Sequence, residues 1–224
     1  MFEPLDVRDF EARTGLKTGF SCRAEEIVSL RDLNEGEVTA VQVMPISYLE
    51  ALLRNVSLEG DVNVKPYANC EFSLVSMDPR SACVGQTFVE RSKYQAILEK
   101  FELLDGKFCV NGGAAKRNAL IIFGVNKDGK EVMAHYLPPI YEVMNGNDNG
   151  HHFLLDGVHR NFLVKQIGTT IESILIKGVK IPLPCDPGTW QEVRVVSEKP
   201  PRLERFHNLR PELFRNLKFI GIDG

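Results

Sequence analysis

Apolar residues recur at helical spacing in ISYLEALLRNV, where Leu49, Leu52, Leu53 and Val56 fall on one face, and this predicts an amphipathic helix. The stretch that follows, VNVKPYANCEFSLVSMDPRSACVGQ, reads as extended segments broken at Asp78-Pro79, because a residue before proline is pushed out of the helical region. TFVERSKYQAILEKFELLDG predicts another helix. Thr87 with Glu90 three residues later has the form of a capping box, Tyr94, Ile97, Leu98 and Phe101 make an apolar stripe, and Gly106 supplies a stop.

Further on, β-rich runs including ALIIFGV are punctuated by Asn111-Gly112-Gly113, Gly124 and Lys127-Asp128-Gly129, the pattern of a sheet with tight turns. PPIYEVM and HHFLLD flank NGNDNG as a second hairpin. RNFLVKQIG, closed by Gly168, predicts a helix, and TIESILI a strand rich in β-branched Ile171, Ile174 and Ile176. The last forty residues are punctuated by proline and end in a short predicted helix. These elements predict an α/β protein of the α+β kind, with a small mixed sheet and helices.

Composition narrows the setting. The 224 residues are 43% hydrophobic and 25% charged, ordinary for a globular chain, and a net charge of −3 gives no overall pull towards nucleic acid or an anionic membrane. The five cysteines (Cys22, Cys70, Cys83, Cys109 and Cys185) are odd in number and scattered, as free thiols in a reducing compartment are. MFEPLDVRDFEARTG lacks the apolar core of a secretory signal, and no uncharged apolar run approaches the ~20 residues that span a bilayer. The expectation is a cytoplasmic protein without a membrane partner.

The chemistry concentrates in Asp156-Gly157-Val158-His159-Arg160, between a predicted strand and a predicted helix. A helix N-terminus offers unpaired N–H groups and the positive end of a dipole to an anion. In this reading the backbone of Gly157 and Val158 admits a phosphate, and His159 and Arg160 add donors. Asp156 takes a proton or holds Mg²⁺. The competing reading makes Asp156 the N-cap of an ordinary helix, with His159 and Arg160 solvated.

The order of Pro139-Ile140, Phe153 to Leu155, Gly157-His159-Arg160 and Ile171 to Ile176 resembles the ParB-like and sulfiredoxin superfamily over residues 132 to 178. The resemblance implies a small nucleotide-binding α/β core, here 66–180, with flanking segments 1–65 and 181–224. Sulfiredoxins carry a cysteine where this chain has Val158, which argues against their chemistry. Partition proteins continue into a helix-turn-helix, for which the sequence from Gly178 is too short and proline-rich, so sequence-specific DNA binding is not expected. Free serine kinases carry a similar motif, Asp-Gly-His-His-Arg. The resemblance therefore implies ATP, ADP or another nucleotide, or a phosphorylated small molecule, with Mg²⁺. The reaction would be kinase-like phosphoryl transfer, or nucleotide or phosphodiester hydrolysis. The alternative is a non-catalytic nucleotide- or nucleic-acid-binding protein.

Other candidate residues have plainer roles open to them. Glu142 could share the pocket with Asp156 as a second catalytic carboxylate, or be an exposed strand residue. Lys116 and Arg117 in NGGAAKRNA lack the ending of a phosphate loop but could supplement a phosphate site. His151 and His152, adjacent on a strand, point to opposite faces and do not ligate one metal together. His135 reads as a satisfied, partly buried ring. Cys185, next to Asp186, has nothing to activate it. Arg202, Arg205 and Arg210 could close over a phosphate from outside the core.

Overall fold

The structure is a computed structural model that describes residues 2–20, 22–34, 37–93, 95, 97, 119–144 and 151–222. In chain order its named elements are β1 (Leu5–Asp6), α1 (Val7–Thr14), β2 (Glu26–Ile27), α2 (Leu30–Asn34), β3 (Glu37–Val43), α3 (Ile46–Arg54), β4 (Ser57–Leu58), β5 (Glu71–Met77) and β6 (Ala82–Val84). There follow β7 (Phe88–Glu90), β8 (Leu120–Val125), β9 (Glu131–Tyr136), β10 (Ile140–Val143), β11 (His152–Asp156), α4 (Val158–Ile167), β12 (Ile171–Lys177), β13 (Arg194–Val196) and β14 (Arg215–Asn216).

The chain is an α+β protein with two mixed five-stranded sheets, ordered β1-β2-β9-β8-β3 and β5-β12-β10-β11-β6. Alternation along β8 and β9 explains the layering. Leu120, Ile122, Val132 and Ala134 face Val28, Leu33 and Val38 on one side. Ile121, Phe123 and Met133 face the other side, where they share a core with Phe10, Leu49, Leu52 and Leu53 and with Ile140, Ile174 and Ile176 of the second sheet. The far face of that second sheet carries Tyr141, Leu154 and Leu175 against Val158 and Trp190, with Phe162 packed alongside. Helix α4 therefore covers the second sheet as the chain passes from β11 to β12, which flank β10 on either side.

The helix predicted from Leu49, Leu52, Leu53 and Val56 is α3, and all four residues are buried. The two predicted hairpins are formed by β8–β9 and β10–β11, although residues 145–150 lie outside the described residues. Several expectations are corrected. Thr87 and Glu90 make no capping box: Phe88–Glu90 is a strand pairing in parallel with β13, and the Thr87 hydroxyl donates to Glu204 O at 2.9 Å. Phe88 and Val89 are both buried, which suits neighbouring side chains on opposite faces of a strand, and the helical residues begin at 91. Leu98 and Phe101 of the expected stripe, Tyr94 and Gly106, and the Asn111-Gly112-Gly113 turn lie outside the described residues.

Gly124 is no turn but a strand residue of β8. A Cβ there would lie 2.7 Å from Leu33 Cδ1 and closer still to Glu37 O, so glycine marks the close approach of β3. The short C-terminal helix is instead a 3-10 turn, Leu217–Ile220, capped by Asn216 Oδ1 accepting from Phe219 N at 3.1 Å. The three expected segments interleave. Residues 1–65 supply β1, β2 and β3 to a sheet completed by β8 and β9, and β13 and β14 of the last segment pair with β7 and β4. Among the described residues, no helix is long and apolar enough to cross a membrane.

Candidate functional site

The motif stands where the sequence placed it, between β11 and α4, but its residues have other partners than expected. Gly157, not Asp156, is the N-cap, with φ of 91°, and no side chain caps the helix. A Cβ at Gly157 would sit 2.9 Å from Pro139 Cβ, so the missing side chain makes room for the Pro139-Ile140 strand start rather than for a ligand. Asp156 ends its strand opposite Ile140, with its carboxylate 3.6 Å from the Arg160 guanidinium.

Arg160 reaches back from the first turn of α4. Its Nη1 donates to Leu137 O, and its guanidinium lies 5.2 Å from the centre of the Tyr136 ring. Part of the fork expected to face phosphate thus fastens the helix to the β9–β10 connection. His159 is likewise engaged, with Nε2 accepting from Glu90 N at 3.0 Å. Burial, then the positive charges of Lys93, Lys199 and Arg160, push the His159 pKa down to about 4. Its ring is neutral and an acceptor rather than the donor expected. Val158 is buried in the apolar layer beneath, and only its backbone is available to an anion.

Glu142 is corrected on both readings. It is 1% exposed, not a surface residue, and it does not meet Asp156. Arg215 Nε and Nη2 donate to its two oxygens, each at 2.9 Å, and the Tyr67 hydroxyl donates at 2.6 Å. A carboxylate so enclosed has no free direction for substrate or metal. The remaining Arg215 donors go to the carbonyls of Pro182, Leu213 and Ile181. The acidity of Tyr67 is lowered, first by burial and then by Glu142. This triad was missed in the sequence; its only signal was a glutamate in an otherwise apolar strand.

The two carboxylates thus do not fit a Mg²⁺ held between them, and Asp156 alone is left as a metal candidate. Among the described residues, no three His, Cys, Asp or Glu side chains converge on a cation position. His135 is a satisfied core ring: Nδ1–H donates to Ile220 O at 3.3 Å, and Nε2 accepts from the Tyr48 hydroxyl at 3.2 Å, the only tautomer that serves both. His151 is exposed and His152 half-buried. Burial pushes the Cys185 thiol up to about 12, so it is inert at neutral pH. Arg202 and Arg210 pair with Glu59 and Asp186, leaving Arg205 as the member of that trio without a carboxylate partner among the described residues. Lys116 and Arg117 lie outside the described residues. An open groove of about 410 Å³ lies near the start of β7 and β13, lined by Thr87, Arg194, Glu192, Glu204, Phe206 and His207.

No protein family, no curated protein and no solved structure matches the chain.

Proposed function

We propose that the chain binds a phosphate-bearing ligand, a nucleotide, at the start of α4, as a cytoplasmic protein of the ParB-like kind that its motif resembles. The observation that carries this is the undressed helix start. At α1, Asp6 accepts from the amides of Arg8 and Asp9 at 2.8 and 3.1 Å, and Asp9 adds an acid to the first turn. At α4 there is no side-chain cap and no first-turn acid, and one cation, Arg160, stands in the first turn instead. An anion from outside supplies what Asp6 supplies to α1. Titration with ATP, ADP and CTP, with and without Mg²⁺, and with inorganic phosphate tests this. The expected result is stabilisation by at least one nucleotide, ~2.7 kcal/mol at a hundredfold excess over Kd. No stabilisation by any of these at millimolar concentration overturns it.

A second reading, phosphoryl transfer or hydrolysis, is favoured by one feature: the Asp156 carboxylate stands one residue before the helix start. There it would accept a proton from a nucleophile, with the Arg160 guanidinium 3.6 Å away to orient it. Asp156→Asn is expected to keep nucleotide binding and lower turnover ~10²-fold. Binding without turnover in the native chain leaves the binding function alone.

A further inference from the structure

We infer that Lys93, Lys199 and Arg205 form a second anion position beside the start of α4, and that the ligand carries a further phosphate to reach it. This rests on the binding function proposed above. It draws on residues outside the Asp156–Arg160 motif.

The juxtaposition follows from strand register. β7 and β13 run parallel with Glu90 opposite Val196, so both chains leave at the same end, and three residues further each presents a lysine, Lys93 and Lys199. The hydrogen bond from Glu90 N to His159 Nε2 sets the first turn of α4 at that same end. Arg205 Nε donates to Pro200 O at 2.7 Å, which holds the arginine beside the residue after Lys199. Lys93 and Lys199 thus meet beside the helix start, close enough to act on His159, and Arg205 stands next to Lys199.

Among the described residues, no carboxylate lies within ion-pairing distance of Lys93, Lys199 or Arg205. The nearby Glu90 accepts from the Ser92 hydroxyl at 3.1 Å. The Lys199 ammonium is pushed down from its ordinary pKa first by partial burial and then by Lys93 and Arg205, with Glu90 opposing the fall. An anion placed among them relieves that repulsion. The helix start accommodates one phosphate, and a linked second or third phosphate extends to the cluster. The matching ligand is a diphosphate or triphosphate rather than a monophosphate.

Calorimetric titration of the full chain with inorganic phosphate, pyrophosphate and tripolyphosphate tests this. It compares the native protein, Lys93→Ala/Lys199→Ala and, as a control for net charge, Lys17→Ala/Lys127→Ala. The native chain is expected to prefer tripolyphosphate over phosphate by about tenfold or more. Lys93→Ala/Lys199→Ala should abolish that preference and leave phosphate affinity within about twofold, while the control keeps both. Binding of phosphate with no preference for longer chains overturns this inference and leaves the helix-start function standing. Equal losses in the two double variants overturn it too, by reducing it to net charge. Failure of every phosphate species to bind overturns both.

Discussion

Two histidines give the protein an acid limit with a definite sign. His135 and His159 are both pushed down to about 4, His135 by burial and His159 by burial and neighbouring cations. The unfolded chain takes up these protons near the ordinary value of 6.5, so between about 6.5 and about 4 it binds more protons than the folded chain. Stability is therefore full above that window and falls as pH drops through it. Chemical denaturation from pH 7 to pH 4 should show the loss, and His135→Gln and His159→Gln should each flatten the slope. Identical slopes in all three proteins would assign the loss to other groups. A bound phosphate would counter Lys93 and Lys199 and raise the pKa of His159 alone, leaving His135 unmoved, which NMR titration of the rings reads directly. The buried triad makes a sharper prediction. Arg215→Met leaves Glu142 and Tyr67 in the core without their cation and should cost ~3–5 kcal/mol, whereas Glu142→Leu/Arg215→Met should recover much of that. Urea melts of the two variants distinguish a costly orphan charge from lost packing.

At the scale of elements, the start of α4 depends on a glycine and not on an acid. Gly157→Ala forces a side chain into left-handed backbone, ~1–2 kcal/mol for the conformation alone, and against Pro139. Asp156→Asn removes no cap and should leave the melting temperature nearly unchanged. A large loss in the asparagine variant would show that the Arg160 pair, not the glycine, holds the turn. The elements themselves were legible where one face is buried at a regular period, as in Leu49, Leu52 and Leu53 of α3 or the alternation along β8 and β9. The ends of α4 were legible too, because Gly157 and Gly168 mark them. Side-chain roles were not. Nothing local in Asp156-Gly157-Val158-His159-Arg160 shows that His159 accepts from Glu90 or that Arg160 grips Leu137 O, since both partners come from distant strands. Phe88 and Val89 fit a helix or a strand equally until β13 is known to lie beside them.

At the scale of the molecule, the last segment backs the second sheet. Trp190 packs in the layer beneath α4 and its indole N–H donates to Pro79 O at 2.6 Å, while Arg215 neutralises Glu142. A chain ending at residue 180 is thus expected to lose cooperative melting in calorimetry; a sharp transition in that fragment would show that residues 66–180 stand alone. The interleaving of segments escaped the sequence because long-range pairings such as β2 with β9 leave no local pattern. The Glu142–Arg215 pair also has a consequence in time. The two residues are 73 apart, so a folding chain that assembles β10 early must bury a glutamate before its arginine arrives. Burying the carboxylate unpaired is costly, so stable docking of β10 waits for a loop of that length to close. Refolding should consequently be slow for the chain's size, and Glu142→Leu/Arg215→Met, which has no charged pair to assemble, should refold faster than the native chain in stopped-flow measurements.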